Sequence, residues 1–474
     1  MRTAEQIDDI LSSSLERFMG DNSIPGIAVG IVLDGKLAYT KGFGVKNIEN
    51  HDLITEESMF HSASISKTFV TTSLIQLQER GLVDINKFVT EYLPYLKLKD
   101  ERFKKITVKQ MMSHLSGMPD VYDYEWDNPQ YEEDALEKYV KSIYDIALLW
   151  EPGEGYSYSN LAYEMLGDVI AKASGMSFES YVKQNILQPL GMMNSSFLIR
   201  EIAPDKMTSP HIINMDDGYK AEVNPYYPYN RIHGPSSTLW SNVSELCRYA
   251  IAHINGGSFE NFILLKKDSY DMMWKSYAET NREGTTIGLS WFIKNYKGVK
   301  LIFHTGGDTG YTSNLVLIPE KKAALAFYCN CDYINLSMIT EHILDIMLDY
   351  EVEQIKNSAT PEIARILIDK GIEAAKVRFE EIRNLNKKDY YISEGEFNSM
   401  AYKFLRLCRV EDAIAILMMA IKELPKAANL YDSLGEMYLE NGDRERSIES
   451  YQKALQLDPH MSSSITALKN LGIV

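Results

Sequence analysis

The segment HSASISKTFV (61–70) sets Ser64 and Lys67 three positions apart at the head of an apolar run. In a helical turn that spacing puts both side chains on one face, within reach of each other. Two readings fit: a hydroxyl beside the amine that takes its proton, or a helix cap followed by a solvent-facing lysine. The pattern recurs at Ser180–Lys183 (SYVK) and Ser450–Lys453 (SYQK), so alone it decides nothing. TFVTTSLIQLQERG (68–81) supplies the helix that the first reading requires. A serine at its start would hold an oxyanion against free backbone N–H groups and the positive end of the helix dipole.

Two further segments bear on the choice. EPGEGYSYSNLAYEMLG (151–167) carries Tyr158-Ser159-Asn160 between a Pro-Gly turn and a new helix. LIFHTGGDTGYTSNLVLIP (301–319) carries His304-Thr305-Gly306 at the end of a strand, trailed by glycines that let a ligand approach the backbone. The ordered set Ser-x-x-Lys, Tyr-x-Asn, His-Thr-Gly resembles the class C β-lactamase-like serine hydrolases. These comprise class C β-lactamases, low-molecular-weight penicillin-binding proteins, D-stereospecific aminopeptidases and a group of esterases. The resemblance runs from about residue 5 to 350 and includes the connecting stretches ITVKQMMSHLSGMPD (106–120) and GPSSTLWSNVSELCRYA (234–250).

That resemblance implies roles. Ser64 is the acylated nucleophile and Lys67 helps to take its proton. Tyr158 is the general base or acid, Asn160 orients Lys67 and the substrate amide, and the N–H groups of Ser64 and Gly307 form the oxyanion hole. Thr305 and Gly306 line the substrate. The base stays open at this point. A tyrosine ionising near 10 needs roughly 4 kcal/mol of help to act near pH 7, from a neighbouring ammonium and imidazolium; otherwise Lys67, neutralised by burial, is the base. His304 departs from the lysine of many relatives and is only partly charged near neutral pH. Weak or absent β-lactam turnover follows, with esters, amides or D-amino-acid peptide bonds favoured. A hydrogen-bonded strand histidine is the alternative reading of His304, and His61 and His114 are read as structural.

With 66 acidic against 49 basic residues, net charge −17, the chain repels a phosphate backbone or an anionic membrane, so no nucleic-acid partner is expected. No apolar run reaches the roughly 18 residues of a membrane span. The start reads as an acidic amphipathic helix with Ile7, Ile10, Leu11 and Leu15 on one face, unlike a signal peptide, so a cytoplasmic protein is expected; an exported chain with its signal removed is the alternative. Four cysteines make no disulfide framework or zinc spacing, Cys329 and Cys331 reading as core. Neither metal nor cofactor is expected.

Short strands at 24–50, with a hairpin signal at Asp34-Gly35, and again at 286–330 flank a helical middle. This predicts an α+β, β-lactamase/transpeptidase-like fold over 1–357, with an antiparallel sheet and a helical subdomain. Residues 358–474 read as an all-α domain. Residues 394–427 align with 428–461 at a shift of 34, pairing Phe397 with Tyr431, Ala401 with Gly435, Phe404 with Tyr438, Leu417 with Tyr451, Ala420 with Ala454 and Pro425 with Pro459. That pattern resembles tetratricopeptide repeats, with 362–384 a degenerate earlier unit and SSSITALKNLG a cap. So few repeats call for packing on the catalytic domain or a second subunit, which makes a protein partner or self-association an expectation. Two tyrosine-bearing loops, 120–134 and 224–231, either line a cleft or anchor the surface. The reading carried forward is a serine hydrolase on a small-molecule ester, amide or peptide. The rivals are a catalytically weak binding module that recruits a partner, and a true β-lactamase.

Overall fold

A computed structural model describes residues 2–214, 220–332, 334, 336–385, 387–459 and 461–473. They fall into two compact units, one drawn from 1–19, 24–213 and 221–352, the other from 20–23, 214–220 and 353–474.

In the first unit the described residues build an eight-stranded antiparallel sheet. Its strands are β1 (Gly26–Leu33), β2 (Lys36–Gly44), β3 (Ala278–Glu279), β4 (Thr285–Ile287), β5 (Phe292–Tyr296), β6 (Val299–Asp308), β7 (Tyr311–Ile318) and β8 (Ala323–Cys329), in the order β2-β1-β8-β7-β6-β5-β4-β3. The first and last strands thus lie side by side in one antiparallel sheet, as the α+β reading expects. Asp34 (φ 51°) and Gly35 (φ 74°) close the β1–β2 hairpin; both sit in the left-handed region that a tight two-residue turn demands.

Strands β1, β7 and β8 are buried nearly end to end because helices cover both faces. Period-two alternation assigns those faces. Ser313 donates to the Ser62 carbonyl at 2.7 Å on one side, while Asn314 donates to Thr340 at 2.7 Å on the other. The Thr340 face takes helix α1 (Ala4–Asn22), which buries Ile7, Leu11 and Leu15 and ties Asp8 to Tyr39 and Lys41. The Ser62 face takes the helical subdomain. It holds α2 (Ser66–Glu79), α3 (Asn160–Ser174), the short α4 (Gly234–Ser237) and α5 (Val243–Ile254). Gly30 lets α5 sit close: a Cβ there would meet Cys247 Sγ at 2.7 Å. Helix α3 is capped at both ends, by Ser159 accepting from the Ala162 N–H at 3.1 Å and by Gly175 at φ 71°.

Among the described residues of the second unit, the regular structure from 359 onward is helical apart from the two-residue strand Tyr390–Tyr391. Helices α6 (Ala359–Lys370) and α7 (Ile372–Leu385) are followed by the pairs α8 (Glu394–Arg406) with α9 (Val410–Glu423) and α10 (Ala428–Glu440) with α11 (Arg444–Leu457), then α12 (Ser462–Asn470). The repeat positions do the packing. Phe397, Ala401, Phe404, Leu417 and Ala420 are fully buried, and Gly435 lies so close to the Tyr451 ring that a Cβ would stand 2.9 Å from it. Small residues at those positions are what allow paired helices to approach.

Candidate active site

Three serines at alternate positions do different work at the head of α2. Ser62 shares a 2.6 Å hydrogen bond with Tyr328, and its backbone N–H donates to the Leu239 carbonyl at 2.7 Å. Ser66 accepts from the Leu239 N–H at 3.0 Å. Both are fully buried, whereas Ser64 between them is partly exposed. The helix proper starts at Ser66, and Ser64 lies in a 3-10 turn, Ala63–Ile65, just ahead of it. That turn is tighter than the helix start expected at Ser64 and brings positions i and i+3 almost into eclipse. Ala63 holds φ 47°, a left-handed value that costs a non-glycine residue of order 1 kcal/mol and is kept by the contacts on either side.

Lys67 is fully buried. Its Nζ donates to Ser64 Oγ at 3.1 Å, to Asn160 Oδ1 at 2.5 Å and to the Ser236 carbonyl at 2.8 Å. An ammonium has three N–H donors, and all three are used. The rings of Tyr158 and Tyr163 stand 5.0 and 5.5 Å from the nitrogen. Burial draws the Lys67 ammonium down to about 8, while Glu164, Asp120 and Asp308 pull the other way.

Tyr158 is half-buried and stacked on His114 with centroids 4.3 Å apart. Burial raises its hydroxyl above the ordinary 10, outweighing the opposing pull of the Ser64 side chain. His114 accepts the Ser159 N–H at Nδ1, 3.1 Å, which leaves its proton on Nε2; burial holds this ring neutral. Asn160 is oriented from behind. Asp120 accepts from its backbone N–H at 2.7 Å and from its Nδ2 at 3.0 and 3.2 Å, so Oδ1 must face Lys67.

His304, Thr305, Gly306 and Gly307 lie in the second half of β6. The ladder to β5 stops at Phe303, so His304–Asp308 pair with β7 alone and leave one backbone edge free of a strand. The two-residue connection closes on Asp308–Tyr311, so alternation turns the Gly307 N–H away from β7. Gly306 is a close-approach glycine: a Cβ would meet Ser313 Oγ at 2.3 Å and the Ser62 carbonyl at 2.4 Å. At Gly307 nothing lies within 4 Å, so a Cβ there meets open space. His304 is buried, donates Nδ1–H to the Thr305 carbonyl at 2.7 Å, and is drawn down to about 3 by burial and by Lys67. Its imidazole is neutral at pH 7. The fixed charge beside it belongs instead to Arg282, which reaches Thr305 Oγ1 at 3.5 Å and lies 4.6 Å over the Phe292 ring.

The structure therefore gathers Ser64, Lys67, Tyr158, Asn160 and the 304–307 strand edge around one point. Sequence reasoning missed Asp120, Arg282 and the Ser236 carbonyl. Asp120 and Ser236 fall in stretches already noted, but nothing local in those stretches marks either contact. The aromatic loop 120–134 is anchored, with Tyr124 and Trp126 stacked on each other at 4.8 Å and both edged against His233. Among the described residues no group of three or more His, Cys, Asp or Glu is placed to hold a metal ion, and no helix is long and apolar enough to cross a membrane.

Comparison with known proteins agrees with this architecture. Residues 11–345 match the beta-lactamase family and residues 428–461 match the tetratricopeptide repeat. The chain is 24% identical over 344 residues to Protein flp of Staphylococcus aureus (strain COL), covering 72% of this chain and 65% of that protein. It is 26% identical over 312 residues to penicillin-binding protein 4* of Bacillus subtilis (strain 168), covering 62% of this chain and 66% of the relative. This chain thus spans slightly under two thirds of the length of these relatives. Among solved structures it resembles the octameric penicillin-binding protein homologue from Pyrococcus abyssi, with a TM-score of 0.64, 27% identity, and coverage of 79% of this chain and 81% of that one.

Proposed function

This chain belongs to the beta-lactamase family, and on that premise we propose that it is a serine hydrolase forming an acyl-enzyme on Ser64. Its substrates are small esters, amides or D-amino-acid peptide bonds, with little or no β-lactamase activity. The observation that carries this reading is a fully buried amine, Lys67, 3.1 Å from a partly exposed hydroxyl, Ser64.

With a pKa drawn down to about 8, roughly one Lys67 in ten is neutral at pH 7. The neutral amine keeps two N–H groups. Asn160 Oδ1 and the Ser236 carbonyl can only accept, so both bonds persist and the lone pair points at Ser64, the one partner with a proton to give. Ser64 Oγ then attacks the substrate carbonyl as its proton moves to Lys67. The N–H groups of Ser64 and Gly307 receive the oxyanion, each worth roughly 3–4 kcal/mol in the transition state. Tyr158, protonated because burial raises it, gives its proton to the leaving oxygen or nitrogen and recovers one from Lys67. Water attacking the ester of Ser64 reverses the sequence. This assigns the base to Lys67 and the acid to Tyr158.

Arg282 over Thr305 favours substrates with a carboxylate beside the scissile bond, because a neutral His304 supplies no charge there. Arg282→Ala is expected to raise KM for a D-alanyl-D-alanine peptide about 10-fold and to leave a neutral acetate ester unchanged. The repeat match makes protein association the proposed role of a helical domain over 358–474, with 1–357 proposed as the hydrolase domain. The primary test is intact mass after incubation with a fluorophosphonate. One adduct on the wild type, absent from Ser64→Ala, supports the proposal; an unlabelled wild type moves the weight to a binding module.

A further inference from the structure

The side chains of a cluster behind Lys67 take no part in the chemistry above. Ser236 and Ser237 are consecutive on α4, and their hydroxyls reach different carboxylates. Ser236 donates to Glu164 Oε1 at 2.6 Å, and Ser237 donates to Asp308. Each carboxylate also takes an imidazole N–H, from His233 Nδ1 at 3.0 Å and from His61 Nε2 at 2.7 Å. Glu164, His233 and Ser236 are fully buried, and Glu164 Oε2 has no hydrogen-bond partner among the described residues. A carboxylate at that depth, satisfied on one oxygen only, costs stability rather than adding it. Such a group is expected where it serves a site. Glu164 lies one turn along α3 from Asn160, so one helix carries the amide that touches Lys67 and the carboxylate that holds Ser236. The carbonyl of that same Ser236 is the second acceptor for Lys67 Nζ.

We propose that Glu164 is a positioning residue for acylation: through the Ser236 hydroxyl it fixes the Ser236 carbonyl on Lys67 Nζ and so aims the amine's lone pair at Ser64. The inference rests on Lys67 being the proton acceptor. If the Ser236 peptide is free to tilt, the neutral amine can turn an N–H toward Ser64 instead, and the base is lost from the encounter. Glu164 acts on Lys67 electrostatically as well. The groups facing Lys67 are Tyr158 and Tyr163, the neutral rings of His114 and His304, and the carboxylates Asp120, Asp308 and Glu164, with His233 behind Glu164. Of the three carboxylates Glu164 contributes most to keeping the ammonium form.

The experiment measures the rate of fluorophosphonate acylation against pH, with melting temperature alongside, for the full-length wild type, Glu164→Gln, Ser236→Ala and the double variant. Glu164→Gln is expected to slow acylation about 10- to 100-fold on the plateau. It also moves the acidic limb to lower pH, because a charge that favoured the ammonium is gone. Ser236→Ala, which keeps the carbonyl and the charge, slows acylation by a comparable factor and leaves the limb in place. The double variant is no slower than the slower single variant, to within about 2-fold, since both break one linkage. Rates per folded molecule and a limb that match the wild type, with only melting temperature lowered, overturn the proposal; so do losses that simply add. If Glu164→Gln does not fold, Ser236→Ala, in which Glu164 keeps its bond to His233, carries the test, and an unchanged rate there overturns it. A wild type that is never labelled instead sinks the hydrolase reading, and this inference with it.

Discussion

Lys67 Nζ and Asn160 Oδ1 stand 2.5 Å apart, although the two residues come from different helices and are 93 positions apart in sequence. The amide oxygen can face the amine because Asp120 occupies the other end of the Asn160 side chain. This pair turns a lysine near a serine into an amine held in one orientation, and the expected behaviour of the site follows from it.

The pH dependence of acylation reports Lys67 directly. Only the neutral amine accepts a proton, so labelling of Ser64 rises with pH, with a midpoint at about 8, and levels off above it. Lys67→Met is expected to lose about 10³-fold, and Lys67→Arg no less, because a guanidinium does not deprotonate. A rate flat between pH 6 and 9 would assign the proton elsewhere.

Asp120 is exposed, so its substitution tests geometry with little effect on folding. Asp120→Ala frees the Asn160 amide to rotate and removes a negative charge near Lys67. Acylation is expected to fall about 10-fold in kcat rather than KM, with the acidic limb displaced to lower pH. Steady-state kinetics on an ester across pH separates the two effects. An unchanged kcat would mean that Asn160 needs no support.

Neighbouring glycines should respond in opposite ways. Gly306→Ala drives a methyl into the Ser62 carbonyl, at the head of the Ser64 turn, and into Ser313 of β7, which holds that carbonyl, and is expected to cost about 1–3 kcal/mol and most of the activity. Gly307→Ala meets nothing, so its melting temperature stays near that of the wild type while bulky esters lose rate before small ones. Thermal melts and a graded ester series read both outcomes, and equal destabilisation by the two substitutions contradicts the geometry.

Buried histidines make the protein acid-sensitive. His253 and His304 are each drawn from 6.5 to about 3 by burial, so between those values the unfolded chain takes up protons that the folded chain refuses. Their contribution to stability is complete above pH 6.5 and is lost progressively as pH falls towards 3. His253 sits among Tyr249, Tyr270 and Trp291 with neither nitrogen hydrogen-bonded, so His253→Phe keeps a ring there and removes one titration. Melting temperature plotted against pH should be flatter below 6.5 for that variant, and an identical slope refutes the assignment.

Local pattern carried a good deal of this molecule. The three-residue spacing put Ser64 and Lys67 on one face, the Asp34-Gly35 pair announced a hairpin turn, and the 34-residue shift aligned Ala401 with Gly435 where helices approach. Each is a property of a short segment, set by backbone sterics or helical period, and so can be read without knowing what packs against it. Tertiary structure decided the rest. The charge of His304 depends on how deeply its strand is buried, which no neighbour in sequence reveals. Asp120 supports Asn160 from 40 residues away. The Ser236 carbonyl that holds Lys67 is a main-chain atom that any residue could have supplied, so no side-chain motif can mark it. Which serine of Ser62, Ser64 and Ser66 stays partly exposed was settled by Leu239 and Tyr328 closing over the other two. The order of the motifs is written in the chain, but the proton affinities at the site exist only once the fold has excluded water from around Lys67.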